Sequence, residues 1–292
     1  DSLIVELGCN DGILLENFCK ENIPHVGVEP SKNVAKIARN KNINIIDRFF
    51  SKEVVNEIIN KYGNAEFFLA ANVMCHIPNI LNLIENVKLL LSKTGKVIFE
   101  DPYLGDVIRK VSYDQIYDEH VFLFSAHSVQ YMFNLYGMEL IDLLPQKTHG
   151  GSMRYVLGNI GEHKISANVG KIMLEEKNLG LDSIDKIIKF KENVSKSKEK
   201  LLDLLRRIKK NGHEVVGYAA TSKSTTILNY CGINNDLISS IYDTTPQKIG
   251  KYSPGMHIPI LDYDEFKNSS CKHTFLFAWN HFNEIIEKEG NY

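Results

Sequence analysis

The stretch LIVELGCNDGILLENFCKENIPHVGVEP, residues 3–30, decides the fold. An apolar run from Leu3 to Val5 enters Glu6-Leu7-Gly8-Cys9-Asn10-Asp11-Gly12, and a second run closes on Glu29, 17 residues after Gly12. Strand, glycine turn, helix and a strand ending in an acid together outline a nucleotide-type binding unit. Gly8 and Gly12 flank the turn at the carboxyl end of the first strand, where absent side chains let a ligand approach the backbone and the next helix pack close. Glu29, at the tip of the second strand, can accept hydrogen bonds from both hydroxyls of a ribose. The dinucleotide fingerprint G-x-G-x-x-G is missing, because Cys9-Asn10-Asp11 follow Gly8, and this disfavours a pyrophosphate cofactor.

Outward from this unit, strand-like and helix-like segments alternate: LIVEL, a helix near 12–22, HVGVE, a helix from Ser31, INIID, a helix from Ser51, EFFLAAN, a helix from Pro78, and KVIFEDP. That is the pattern of a parallel, doubly wound sheet. Ser31 and Ser51 stand at helix N-cap positions, and Gly95 marks the turn after the amphipathic run 80–91. After a long insertion, 103–126, a helix near 127–136 and the strands MELIDLLP and SMRYVLG bring the count to seven, the last two as a hairpin edge. Between 164 and 211 apolar residues recur every three or four positions, which predicts two helices. A second αβ pattern follows through HEVVGYAA, a helix near 223–231, SSIYD, HIPIL, a helix around Tyr263 to Asn268, and HTFLFAWN. The expected organisation is α/β throughout, with a doubly wound domain over 1–160, a helical linker over 161–211 and a smaller α/β domain over 212–292.

Bulk composition narrows the partners. At 292 residues, 43% hydrophobic and 24% charged, the chain is of ordinary globular make-up and long enough for two domains. A net charge of -2 gives no electrostatic case for a nucleic-acid or membrane partner, and the Lys and Arg of 187–210 alternate with acids as on a solvated helix face. The five cysteines, at 9, 19, 75, 231 and 271, contain no C-x-x-C and suggest neither a disulfide framework nor a zinc site. Reduced thiols, no apolar run of membrane-spanning length and no signal peptide lead to the expectation of a cytoplasmic protein. The first residue is Asp1, two residues before the first strand, the start expected of a fragment that lacks an upstream domain.

Every candidate catalytic residue of the first domain follows the carboxyl end of a strand, the edge where open α/β sheets bind ligands. His76 follows EFFLAAN; Tyr113, Tyr117, Glu119 and His120 lie on the insertion after the fifth strand; His149, Gly150 and Gly151 lie between the last two. Asn72 and either Phe49 or Phe50 stand at neighbouring strand ends. Arg154 can pair with a phosphate or form a structural ion pair.

E-L-G-C-N-D-G with an acid one strand later resembles motif I of the class I S-adenosylmethionine (SAM) methyltransferases. That resemblance implies SAM as cofactor, with Glu6 orienting it, Gly8, Asn10 and Gly12 lining it, Glu29 on its ribose, and Phe50 and Asn72 near its adenosine. Y-D-Q-I-Y-D-E-H (113–120), N-V-M-C-H (72–76), H-G-G-S-M-R (149–154), G-Y-A-A-T-S-K-S-T-T-I-L-N-Y-C-G-I (217–233) and T-P-Q-K-I-G-K-Y-S-P-G-M-H-I-P-I (245–260) resemble, over almost the whole chain, the nucleotide-deoxysugar C-methyltransferases. That family acts at C3 of dTDP-4-keto-deoxysugars. The resemblance implies His120 as the base that removes the proton beside the ketone, Glu119 and Tyr117 orienting sugar and base, and His76 near the enolate oxygen, with no metal required. It implies a nucleotide-diphosphate sugar as partner, held by Tyr113, His149, Lys223, Tyr252 and His257. Members also carry an amino-terminal zinc-binding domain, which these residues do not contain.

Gly217 to Ser224, GYAATSKS, fits the phosphate-loop spacing except that Ser222 stands where the second glycine belongs. A strand-to-helix turn with Lys223 can still cradle a diphosphate, or Lys223 can be an exposed residue beside a helix cap. Transfer to a sugar hydroxyl, or a non-catalytic nucleotide-sugar binding fragment, are the competing functions. Oligomeric state is not legible.

Overall fold

The computed structural model describes residues 2–290. Its elements, in chain order, are β1 (Ile4–Leu7), α1 (Leu15–Lys20), β2 (His25–Val28), α2 (Lys32–Asn40), β3 (Ile45–Ile46), α3 (Lys52–Tyr62), β4 (Ala65–Ala71), α4 (Ile80–Leu90), β5 (Leu91–Pro102), α5 (Leu104–Lys110), α6 (Ala126–Asn134), β6 (Met138–Gln146), β7 (Ser152–Asn159), α7 (Ala167–Leu179) and α8 (Ile184–Lys210). The remainder holds β8 (Val215–Tyr218), α9 (Ser222–Cys231), β9 (Ile241–Asp243), β10 (Ile260–Asp262), α10 (Tyr263–Lys267), β11 (His273–Leu276) and α11 (Phe282–Glu289). Two compact units result. One comprises the chain up to Gly105 with Glu119–Lys147 and Gly151–Asp182; the other comprises Asp106–Asp118, Thr148–Gly150 and the chain from Ser183.

The first unit is built on a seven-stranded sheet in the order β3-β2-β1-β4-β5-β7-β6. β1 to β5 run parallel, and β7 enters antiparallel between β5 and β6 as the expected hairpin edge. This is the class I methyltransferase arrangement. β1 is buried along its whole length, as a central parallel strand must be when helices cover both faces. The core gathers Val5, Val26, Phe68, Val97 and Phe99, and the Phe99 ring stacks on Tyr155 with centroids 4.6 Å apart. Each such side chain contributes ~1.5–3 kcal/mol by leaving water. Ser51 caps α3, its side chain accepting from the Val54 N–H, whereas Ser31 precedes α2 without a side-chain cap bond. Gly95, expected at a turn, lies inside β5, and the β4–β5 ladder shifts register between the pairs Ala65↔Leu91 and Phe67↔Lys96. A buried acid fixes α6: Glu176 on α7 accepts from the Ala126 N–H at 2.6 Å, the His127 N–H at 3.1 Å and the Tyr103 hydroxyl at 2.9 Å. A carboxylate at a helix amino end is favoured by the helix dipole as well as by these bonds.

The second unit carries a four-stranded, all-parallel sheet in the order β10-β9-β8-β11. Leu228, Ile233, Ile238, Ile241 and Ile258 are buried in its core. Several boundaries differ from the sequence reading. INIID contributes only the two-residue β3, and HTFLFAWN is strand only to Leu276. The insertion after β5 starts with the short helix α5, and α11 follows β11 with no side-chain cap bond at its start.

Candidate active site

The carboxyl ends of β1, β2 and β4 converge in the first unit, because β1 lies between the other two. A cavity of about 590 Å³ opens there, and Gly8, Glu29, Phe49, Phe50, Val73 and His76 are among its walls. Gly8 has φ +65, and a Cβ on it would stand 2.5 Å from Val73 Cγ2, so glycine is required on both grounds. Glu29 is held rather than loose. Its Oε2 accepts from the Asn10 N–H at 3.2 Å and its Oε1 from the Ser31 N–H at 2.8 Å. Each carboxylate oxygen keeps a second lone pair for a ligand hydroxyl. Asn10 reaches Glu29 from a left-handed conformation, φ 54. Gly12 is also left-handed, at φ 78, and packs against Ile43.

Phe49 and Phe50 both line the cavity, but they differ in support. Phe50 packs against the core, its ring 5.5 Å from that of Phe68, whereas Phe49 is 79% exposed. Asn72, at φ 54, turns the chain after β4 and donates its N–H to the Glu100 carbonyl at 2.8 Å. Glu6 lies within β1 beneath this edge and is 5% exposed, with Oε2 lacking a hydrogen-bond partner among the described residues. Burial pushes its carboxyl up to about 7.

His76 closes a 3-10 turn, Met74–His76, that follows β4. Its ring centroid is 5.1 Å from that of His120. His76 Nδ1 is 2.6 Å from the Glu119 carbonyl oxygen, which only accepts, so Nδ1 carries the proton and Nε2 is the basic nitrogen of the neutral ring. Glu119 therefore acts on His76 through its backbone, while its side chain is exposed. The sequence stretch YDQIYDEH is divided between the units: Tyr113 and Tyr117 belong to the second, Glu119 and His120 to the first.

Two buried groups here escaped the sequence reading. Asp101, at the carboxyl end of β5, is fully buried, and burial pushes its carboxyl up to about 7. It faces Cys75, whose thiol is driven well above the ordinary range by burial and then by the Asp101 charge. The acid pair in KVIFEDP, at a strand's carboxyl end, was the signal available for Asp101. Cys75, His76 and His120 have potential ligand atoms within 4.8 Å of one another.

In the second unit Lys223 meets His149, and Tyr252 and His257 share one loop. Tyr113 is buried in the core with its hydroxyl 3.5 Å from Cys231 Sγ, which corrects its expected place on substrate. Lys223 is likewise turned inward, corrected from a free diphosphate ligand. Its ammonium donates to the His149 carbonyl at 3.2 Å and Asn280 Oδ1 at 3.3 Å, and burial lowers its pKa against the pull of Asp114. His149 has φ 53 and an exposed side chain, and Tyr117 is half-buried. Tyr252 and His257 are exposed on one loop, closed by a bridge between Tyr252 and Pro259. Arg154 forms the structural ion pair: Nε and Nη2 lie 3.1 and 2.9 Å from Glu100 Oε2 across the β5–β7 ladder. A larger cavity, about 810 Å³, runs along α8 and α11 in this unit; none of the candidate site residues lines it.

Residues 147–292 match the family model of the C-methyltransferase C-terminal domain, and residues 2–143 match a methyltransferase domain. C-methyltransferase NovU of Streptomyces niveus is 30% identical over 291 residues, 99% of this chain and 69% of that protein. The chain belongs to the C-methyltransferase family. Solved structures similar to this C-methyltransferase include a SAM-dependent methyltransferase from Anabaena variabilis ATCC 29413, at TM-score 0.43 and 17% identity over 54% of this chain and 77% of that one. Another, from Clostridium acetobutylicum ATCC 824, has TM-score 0.44 and 14% identity over 55% of this chain and 85% of that one. No helix among the described residues of this C-methyltransferase is long and apolar enough to cross a membrane.

Proposed function

We propose that this C-methyltransferase uses SAM to methylate C3 of a nucleotide-activated 4-keto-deoxysugar. The observation that carries the reading is the imidazole pair: His76 lines the same cavity as Gly8 and Glu29, and the His120 ring lies 5.1 Å from His76. Carbon becomes a nucleophile only if a base removes a proton beside a carbonyl while the resulting oxyanion is stabilised. An imidazole, with an ordinary pKa of about 6.5, serves as that base near neutrality.

In this reading His120 takes the C3 proton and the electron pair of the C–H bond moves into the ketone as an enolate. His76, entering the step with a proton taken from solvent on Nε2, offers that N–H to the enolate oxygen while Nδ1–H stays on the Glu119 carbonyl. SAM, when bound, would supply the methyl group to the enolate carbon as its methyl–sulfur bond breaks, leaving S-adenosylhomocysteine. Glu29 holds the ribose of SAM, and Phe50, braced against Phe68, supports its adenine. Glu6 meets the amino-acid end of SAM, where a cation would draw its buried carboxyl into the charged form.

Incubation with methyl-labelled SAM and paired nucleotide sugars, one with and one without the 4-ketone, tests the proposal by NMR of the product. A carbon-bound methyl formed only from the keto sugar is expected. An oxygen-bound methyl formed on either sugar would contradict it and favour hydroxyl methylation.

A further inference from the structure

Beside the imidazole pair stands a thiol for which proton transfer has no use. Cys75 and His76 end the 3-10 turn Met74–His76 after β4, and His120 reaches them from the insertion after β5. The Cys75 sulfur and one ring nitrogen of each histidine lie within 4.8 Å of one another. The chain is clamped on both sides of His120. The Glu119 carbonyl oxygen is 2.6 Å from His76 Nδ1, and the Phe122 N–H donates to the Cys75 carbonyl at 3.2 Å. All of these residues belong to the first unit, so the cluster is complete within it.

Asp101 is a second, independent observation. Its side chain is 0% exposed, and neither carboxylate oxygen has a hydrogen-bond partner among the described residues. A buried carboxylate in that state calls for a proton or a cation. Its charge opposes a bare thiolate at Cys75 and favours one bound to a dication. One divalent ion, one thiolate and one carboxylate sum to zero charge, the balance a site withdrawn from water needs. Hard ions such as Mg²⁺ and Ca²⁺ take oxygen ligands, whereas one sulfur and two imidazole nitrogens suit Zn²⁺. Cys75 is buried and both histidines are half-buried, so an ion enters from the histidine side. Three protein ligands leave the fourth tetrahedral position to water.

We propose that Cys75, His76 and His120 form a Zn²⁺ site through which the metal switches methyl transfer off. On binding, Cys75 gives its thiol proton to solvent, and the ion bonds to the sulfur, to His76 Nε2 and to one nitrogen of His120. Coordination takes the lone pairs that the reaction uses. His120 then cannot accept the C3 proton, and His76 cannot carry a proton to the enolate oxygen. The switch rests on the reading of His120 as base given above; the metal site stands on the cluster alone.

The whole protein, kept reduced and stripped of metal with a chelator, is titrated with Co²⁺ under an absorption spectrometer and then with Zn²⁺. One equivalent of Co²⁺ should produce a thiolate-to-metal charge-transfer band, Zn²⁺ should abolish it, and Cys75→Ala should lack it while still binding S-adenosylhomocysteine. If Cys75→Ala does not fold, X-ray absorption of the unaltered protein with one equivalent of Zn²⁺ decides, and should show one sulfur at about 2.3 Å and two nitrogens at about 2.0–2.1 Å. Deuterium entry at C3 of a nucleoside-diphosphate 4-keto-6-deoxysugar should slow about tenfold or more with Zn²⁺ and recover with chelator. The Zn²⁺ concentration that halves this rate should rise about tenfold or more in Cys75→Ala, whatever the variant's rate without metal. No band, a band retained in Cys75→Ala, a zinc spectrum without sulfur, or exchange unchanged by bound Zn²⁺ would overturn the proposal. Failure of the methylation reading looks different: deuterium enters C3 neither with nor without metal, while the cobalt and zinc spectra still decide the site.

Discussion

The two parallel edges of this molecule hold their acids in the same way and differ in everything around them. At the first, Glu29 shares a cavity with a glycine forced by Val73, an aromatic side chain and His76, with His120 beside it. At the second, Asp243 stands among tyrosines and lysines with an alanine in the turn. The difference separates positioning from chemistry. A strand-tip carboxylate fixed by two backbone N–H groups is common to both edges. Only the first edge adds a pair of imidazoles in contact, and only there do buried carboxyls with raised pKa, Glu6 and Asp101, lie beneath the loops.

The sharpest way to break the comparison is to remove the acid from the first edge alone. Glu29→Ala deletes both acceptor oxygens, and since hydrogen bonds to charged groups contribute ~1.5–3 kcal/mol each, S-adenosylhomocysteine affinity should fall by roughly 100-fold or more in calorimetry. Asp243→Ala should leave that affinity within about twofold of the original, because additivity holds for sites with no shared partner. A comparable loss from both substitutions would mean that the acids act through global stability.

A smaller effect concerns pH. Glu6 has its ordinary value of 4.5 when unfolded and about 7 in the folded chain, through burial. Between those values the native state binds the extra proton, so stability is fully present below about 4.5 and is lost as pH rises towards 7. Each such group changes stability by ~1–3 kcal/mol. The thermal midpoint without ligand should therefore fall between pH 5 and pH 8, and Glu6→Gln should flatten part of that fall. A midpoint that rises over the same range, or an unchanged slope in Glu6→Gln, would show that Glu6 is ionised in the folded chain. Ligand binding sharpens this test, because a cation beside Glu6 should release a proton near pH 7.

The first edge was readable because the signals that shape it are local. Gly8, Gly12 and Glu29 are spaced by one strand, one helix and one turn, all within 22 residues of sequence. The parallel, doubly wound character followed from alternation, and the hairpin of β6 and β7 from the two runs that end the first unit. Asp101 and Cys75 were missed because their significance is burial, which depends on what packs over a strand end. Tyr113 and Lys223 were misread for the same reason: both lie in motif-rich stretches, yet the fold turns their polar atoms towards Cys231, His149 and Asn280. The helices α5 and α11, of seven and eight residues, are too short for long periodic faces. Asp243 was hidden because nothing in SSIYD distinguishes a strand-tip acid that binds backbone from one that faces water.

The central claim is that the His76–His120 pair turns a sugar carbon into a nucleophile, and proton exchange tests it before any methyl moves. The protein is incubated in deuterated water with a nucleoside-diphosphate 4-keto-6-deoxysugar and S-adenosylhomocysteine, and C3 is followed by NMR. The account predicts deuterium entering C3 with the unaltered protein and a fall of ~10²–10⁴-fold in that rate in His120→Ala, with S-adenosylhomocysteine still bound. Exchange at an undiminished rate in His120→Ala, or none in the unaltered protein with both ligands bound, would contradict it.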